Sequence, residues 1–222
     1  VRGNTAFAFD LYAQLKQQEG NLFFSPYSIS TALAMTYAGA SGQTQQQMAQ
    51  TLHFYLPLLA SYPIGNQFHQ NYGRLIERLN AQGQKGDYQL SIANALWGQK
   101  DYPFLEAFIR LNNDYYQAGL ENVDFVNETE PTRLKINQWV EDKTQDKIKN
   151  LIPKGALDAA TRLVLTNAIY FKGDWALQFD KAATTEQDFY IAKDKAIRAP
   201  LMFQNEKFRY GQTETLQILE LP

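Results

Sequence analysis

Leu163 to Phe171 is the stretch that most limits what this chain can fold into. It reads Leu-Val-Leu-Thr-Asn-Ala-Ile-Tyr-Phe, nearly all apolar and rich in branched and aromatic side chains. Such a run suits a strand covered on both faces in the middle of a large sheet. A buried helix could share the composition, but nine residues closed by Lys172-Gly173 have a strand's length. Thr166 and Asn167 interrupt the run. In a buried strand their polar groups need hydrogen-bond partners, and each one left unpaired costs on the order of 1–3 kcal/mol. On generic grounds a satisfied structural pair accounts for them.

The segments before that strand are mostly helical. Asn4 to Gln18 carries Phe7, Leu11 and Leu15 one turn apart and ends at Gly20-Asn21. Leu22-Phe23-Phe24 predicts a short buried strand. Ser25-Pro26 opens a second helix, with serine as N-cap and proline at the first helical position. Ile29, Leu33 and Tyr37 line one face of it, small alanines another, so it belongs deep in the core. Thr44-Gln-Gln-Gln47 matches a capping box for a third helix running to about Leu52. Phe54 to Asn66 is a proline-interrupted connection. Phe68 to Leu79 is an amphipathic helix, and Gln82 to Asp87 a polar loop. Tyr88 to Trp97 alternates, placing Tyr88, Leu90, Ile92, Asn94 and Leu96 on one side. Phe104 to Tyr116 predicts a helix and Gly119 to Phe125 a strand. Thr129 is the expected cap of a helix beginning near Pro131, with Ile136, Trp139 and Val140 inward. Ile148 to Pro153 makes a turn. Beyond Trp175, short strands are expected at Asp188–Ala192, Ala199–Phe203, Lys207–Tyr210 and Leu216–Leu221. Helices first and strands later, with interleaving, give an α+β fold and no regular βαβ array. One domain over residues 1–222 suffices.

Several chemistries find no support. A formal net charge of −2 gives no electrostatic reason to expect nucleic acid or an anionic membrane as partner. The chain has no cysteine, so disulfides, thiolate catalysis and cysteine-ligated metals are excluded within it. No apolar run approaches ~18 residues, so no membrane-spanning helix is expected. His53 and His69 stand on or beside helices without a second ligand at metal spacing, and read as surface or partly buried residues. Gly39-Ala-Ser-Gly42 only approaches a nucleophile elbow, and no phosphate-binding glycine motif occurs. Arg74 and Arg78 lie one turn apart with Glu77 between them, a solvated face. Asn127-Glu-Thr129 fits a glycosylation sequon, a triplet common by chance. No cofactor, no metal and no enzymatic activity are expected, and an unrelated α+β hydrolase is the weakest alternative.

Three motifs, taken together and in order, say more. They are Asn21-Leu-Phe-Phe-Ser-Pro-Tyr-Ser-Ile-Ser30, Ile136-Asn-Gln-Trp-Val-Glu-Asp-Lys-Thr144 and Thr166-Asn-Ala-Ile-Tyr-Phe-Lys-Gly-Asp-Trp175. The chain resembles the serpin family from about Asn4 to Pro222. The resemblance implies helices packed on a large central, mainly antiparallel sheet with further smaller sheets. It also implies an N-terminal portion, since a strand is under way at Leu219-Glu-Leu-Pro222 and a serpin continues well past it. The scissile bond of the reactive-centre loop, and the C-terminal remainder with which this part would assemble, then lie outside the chain.

Functionally, the resemblance implies a suicide inhibitor. A protease, of the serine type by preference, cuts the exposed loop. The loop then enters the central sheet as a new strand and traps the acyl-enzyme. Ser25 and Ser28 match the family's shutter beneath the sheet. Asn167 matches its polar strand partner, and Thr166 is a further candidate for that network. Trp175 matches the tryptophan at the breach, where the loop first enters; as a large core aromatic it has a compatible structural reading. The helix from Pro131 to Thr144 would have to yield during insertion. A non-inhibitory carrier, chaperone or storage serpin, or an inhibitor of cysteine proteases, is the alternative. The resemblance favours an extracellular or periplasmic location and leaves an intracellular one open.

Overall fold

The computed structural model describes residues 2–54, 66–83 and 88–222. Most of the expected Phe54–Asn66 connection and the end of the Gln82–Asp87 loop lie outside the described residues. The chain forms two compact units, Val1–Lys172 and Gly173–Pro222.

In the first unit, helices α1 (Arg2–Leu15), α2 (Pro26–Tyr37), α3 (Gly42–Thr51) and α4 (Asn66–Gln82) precede strand β1 (Tyr88–Gln99). Then follow α5 (Glu106–Tyr116), β2 (Leu120–Val123), α6 (Thr129–Lys143) and β3 (Leu163–Gly173). The sheet order is β2-β1-β3. β1 and β2 run parallel, with Leu96 opposite Leu120 and Gln99 opposite Val123. β3 runs antiparallel to β1: Gln99 N donates to Arg162 O at 2.8 Å, while Asn94, earlier in β1, meets Asn167, later in β3. The fold is α+β, with helices on both faces of this sheet.

Strand alternation divides the residues between the two faces. Leu96 of β1 and Leu165 of β3 join the α1–α5 core around Phe7, Met35, Tyr37, Ile76 and Tyr116. Ala95, Trp97 and Val164 face the other way, toward Val123, Phe125 and the α6 residues Ile136 and Trp139. β1 reaches beyond β2 at its start, and there Asn80 of α4 supplies the missing backbone pairing. Its carboxamide accepts from Ile92 N at 2.9 Å and donates to Ile92 O at 3.2 Å.

The fully covered strand is β1, buried without interruption from Asn94 to Gln99. β3, expected in the middle of the sheet, is an edge strand among the described residues. Only Thr166 and Ala168 are buried, and Phe171 is exposed. Composition did not separate a strand with two strand neighbours from one with a single neighbour. Leu22-Phe23-Phe24 is not a buried strand but an exposed connection, with Phe23 87% exposed. It pairs with no strand among the described residues; Leu22 and Phe23 are exposed and Phe24 is half-buried. α3 begins at Gly42 behind Ser41, two residues before the expected capping box. α6 begins at Thr129 itself, whose hydroxyl donates back to Phe125 O instead of capping an amide.

The second unit contains two antiparallel hairpins. β4 (Thr185–Ala192) pairs with β5 (Lys195–Leu201), and β6 (Arg209–Gln212) with β7 (Gln217–Glu220). All four strands appear where short strands were expected, with ends shifted by a few residues. Their apolar side chains, Phe189, Tyr190, Ile197, Tyr210, Ile218 and Leu219, are exposed.

Two buried features of the α4–α5 layer carry measurable consequences. A methyl group on Gly73 would lie 2.4 Å from Tyr115 O, because α4 and α5 cross there backbone to backbone. Glycine to alanine inside a helix ordinarily gains about 0.5–1 kcal/mol. Here the collision with an unyielding carbonyl reverses the sign. Gly73→Ala should lose about 1–3 kcal/mol in urea unfolding, the range for overpacked cores. His69, expected as a surface or partly buried residue, is fully buried at 4% exposure, with Nδ1 2.7 Å from the Tyr116 hydroxyl. Burial lowers its pKa from 6.5 to about 4. The unfolded chain therefore takes up the proton first. Stability is complete above pH ~6.5 and is lost as the pH falls toward 4, by up to about 3 kcal/mol. Urea midpoints at about pH 7 and about pH 4.5 should differ less for His69→Gln than for the parent. An equal acid loss in the two proteins would refute the assignment.

Candidate functional site

The site begins with the cap of α2. Ser25 has extended backbone geometry, and its Oγ accepts from Ser28 N at 3.3 Å. With Pro26 next in sequence, the helix starts at one defined residue and Ser28 falls in its first turn. α2 then turns Ser28, Ser30 and Thr31 inward, each 1% exposed or less. Thr31 satisfies itself on Tyr27 O at 2.8 Å, and Ser30 Oγ shares a 2.7 Å hydrogen bond with the Tyr72 hydroxyl. Ser28 reaches the sheet: its Oγ donates to Asn167 Oδ1 at 2.7 Å.

Asn167 passes the connection on. Its Nδ2 donates to Asn94 Oδ1 on β1, also at 2.7 Å. Accepting from a hydroxyl and donating to a carbonyl oxygen, the Asn167 amide is used in one consistent orientation. The chain Ser25–Ser28–Asn167–Asn94 thus ties the first turn of α2 to two neighbouring strands, and from Ser28 onward it runs through side chains alone. Sequence reasoning brought forward Ser25, Ser28 and Asn167 but passed over Asn94. The signal was present, because the alternation of β1 placed Asn94 in the same stripe as Leu90, Ile92 and Leu96.

Thr166 lies elsewhere. Adjacent strand residues point to opposite faces, so Thr166 faces α6 while Asn167 faces α2. Its Oγ1 accepts from Trp97 Nε1 at 2.9 Å and lies 3.5 Å from Ala95 O. Trp97 is 1% exposed. Its ring meets Trp139 of α6 edge-on at 6.0 Å, and Lys135 Nζ lies 5.6 Å above it. The two polar residues of the strand therefore serve two separate clusters, one on each face. Trp175 belongs to the second unit, where it is 42% exposed and packs edge-on against Phe179 at 5.8 Å.

At the far end of β1 a third cluster holds the entry to α6. Asp124 accepts from Lys100 Nζ at 2.8 Å, from Asn127 N and Nδ2 at 3.0 Å each, and from Val126 N at 3.2 Å. Lys100 chiefly, and then Asn127, hold its carboxyl well below the usual carboxylate range. Gln99 Oε1 accepts from Phe125 N at 2.7 Å. These groups fix a turn, and the Asp124 carboxylate at its centre is filled by protein donors. Among the described residues no group of three His, Cys, Asp or Glu could hold a metal, and no helix is long and apolar enough to cross a membrane.

What this arrangement can do chemically is mechanical. It has no nucleophile and base in contact. It offers a strand whose tethers run to β1 and α2, with its other edge unpaired among the described residues.

Residues 2–222 match the serpin family, described as serine protease inhibitors. An uncharacterized serpin-like protein of Methanosarcina mazei is 41% identical across 99% of this chain and 50% of its own length. The leukocyte elastase inhibitor of Xenopus laevis is likewise 41% identical, over 98% of this chain and 56% of its own. Emu ovalbumin superposes with a TM-score of 0.87 at 29% identity, over 99% of this chain and 59% of that one. The chain thus spans about half the length of the curated relatives it matches. With its family matched from Arg2 to Pro222 and its fold shared with solved members, the chain belongs to the serpin family.

Proposed function

We propose that the protein is an inhibitory serpin, a suicide substrate for a protease of the serine type. A protease cuts an exposed loop and is held as an acyl-enzyme when that loop enters the central sheet beside β3. In this reading Ser25, Ser28, Asn94 and Asn167 are the shutter that keeps the sheet closed. Thr166 supports the same strand from its opposite face, and Trp175 marks the breach. The single observation that carries the reading is the half-buried relay from Ser28 through Asn167 to Asn94. It spends three polar side chains on fixing β3 to its neighbours where apolar packing would have served for stability alone. The elastase-inhibitor name borne by a relative 41% identical supports the inhibitory side.

Inhibition requires the native state to persist behind a kinetic barrier, and the relay contributes to that barrier. In the complete serpin, incubation with a matched serine protease should yield a complex that survives boiling in detergent. Cleaved, released inhibitor beside fully active protease would favour a carrier or storage role instead. Asn167→Ala removes two partly buried hydrogen bonds. It should speed spontaneous conversion to a loop-inserted or polymeric form by roughly tenfold, equivalent to about 1.4 kcal/mol of barrier. Native gels over a time course at moderate temperature measure this, and an unchanged rate would remove Asn167 from the shutter.

A further inference from the structure

After α6 the chain turns back and runs along the helix it has just left. The backbone of this return segment is held by side chains of one helical stripe. Thr144 Oγ1 accepts from Ile148 N at 3.2 Å, and Glu141 Oε1 accepts from Asn150 N at 3.3 Å. Asn137 grips both sides of Ile152, accepting from its N at 2.8 Å and donating to its O at 3.0 Å. Arg133 Nη1 donates to the same carbonyl at 2.6 Å. Positions 133, 137, 141 and 144 lie three or four apart, one face of one helix.

The grip on Ile152 is the buried part. Arg133 is 7% exposed and Asn137 3%. Glu130 aligns the guanidinium with a two-pronged hydrogen bond, Nε to Oε2 at 2.9 Å and Nη2 to Oε1 at 2.7 Å. Each partner keeps the other charged: Glu130 raises the pKa of Arg133, and Arg133 lowers that of Glu130. A buried arginine whose fork is filled in this way is rigid and directional.

The contacts on the sheet side are of another kind. Ile152 and Leu157 of the return segment pack with Ile136 and Trp139 of α6 against Ala95, Trp97, Val123 and Val164 of the strands. These are mainly apolar contacts, which can slide or part by steps; the polar tie beside them is an exposed ion pair, Lys135 Nζ to Glu121 Oε2 of β2 at 3.5 Å, which water can replace. The seam between helix and return segment is hydrogen-bonded, and the seam between both of them and the sheet is greasy. The greasy seam opens more readily without leaving polar groups unpaired.

We infer that α6 and residues 148–152 move as one body when the sheet admits a strand. Arg133 and Asn137 are the positioning residues that carry Ile152 off the sheet together with the helix. This rests on the loop-inserting reading above. Without the grip, Ile152 lags on the Val164 side of the sheet and delays insertion. The delay gives the acyl-enzyme time to hydrolyse, and more inhibitor is cleaved for every protease trapped.

The chain contains no cysteine, so a pair of thiols can be introduced cleanly. Glu141→Cys with Asn150→Cys, joined by a short bis-thiol linker, fastens the return segment to the helix at its exposed end. The linked protein should trap a serine protease with the same stoichiometry as the unlinked one. Trapping by the unlinked and not by the linked form would overturn the one-body motion. Arg133→Met and Asn137→Ala should raise the number of inhibitor molecules consumed per trapped protease by about tenfold, with the rate of loop cleavage unchanged. Arg133→Lys, which keeps the charge but not the fork, should fall between them and the parent. Ile76→Val, a comparable destabilisation in the α4–α5 layer, is the control for a purely structural effect and should leave the stoichiometry unchanged. Stoichiometries that stay at the parental value in Arg133→Lys, Arg133→Met and Asn137→Ala, or that follow overall stability as in the control, overturn the inference while leaving inhibition standing. A parent that traps no protease overturns the inhibitory reading, and this inference with it.

Discussion

The constraint on which the first unit depends is the burial of β1 on both faces from Asn94 to Gln99. A strand without solvent on either side must find a protein partner for every polar side chain it carries, or lose on the order of 1–3 kcal/mol at each. Three such side chains occur in these six residues; two are answered by β3, one on each face, and the third by the segment that leads into α6. Asn94 accepts from Asn167 on the α2 face, and Trp97 donates to Thr166 on the α6 face. Gln99 accepts from Phe125 N at the entry to α6. The polar groups of one strand thereby set the position of β3, to which Ser28 of α2 is joined through Asn167, and that of the turn before α6. Apolar packing alone would tolerate sliding among them; a 2.7 Å amide contact does not.

This explains why the two polar residues at 166 and 167 belong together in sequence although they share no cluster. Any two consecutive strand residues hold opposite faces. Tying β3 to its surroundings on both faces at one height therefore requires adjacent polar residues. The pair works as two bolts through one plate. Removing either leaves the other able to act as a pivot, so the two positions are expected to couple through the strand and not through direct contact.

The sequence disclosed those demands better than it disclosed their settings. Ser25 as a cap was legible because serine before proline has a local geometric meaning. The need of Asn167 for a partner was legible because an amide in an apolar run has a cost wherever the run goes. That Thr166 and Asn167 point apart was also legible, from the two-residue period, but a common network invited them to be read together. Asn94 was hidden among apolar neighbours whose stripe it shares. Whether β3 has one strand neighbour or two is not a local property, and composition could not reveal it. Nor could the exposure of Phe23, since apolar residues look alike whether or not a surface exists to receive them. His69 looked peripheral because its burial depends on Tyr116, which is 47 residues away in sequence.

The distribution of bond types around the sheet has a directional consequence. All described side-chain tethers of Thr166 and Asn167 run to β1 or α2, and none crosses the outer edge of β3. On that edge the backbone N–H and C=O groups have no strand partner among the described residues. An added strand would satisfy them at little cost in existing bonds, provided the layer above can lift. That layer meets the sheet through the apolar Ile136, Trp139, Ile152 and Leu157 and, at the solvent margin, through the exposed Lys135–Glu121 ion pair, so it can be parted without stranding a buried donor or acceptor. Hydrogen bonds hold β3 to β1 and α2, and apolar contacts hold it to α6 and the return segment. Under the proposed loop insertion, the reverse arrangement, with polar ties to α6 and apolar contact with β1, would give a sheet of similar stability that tears along the wrong seam.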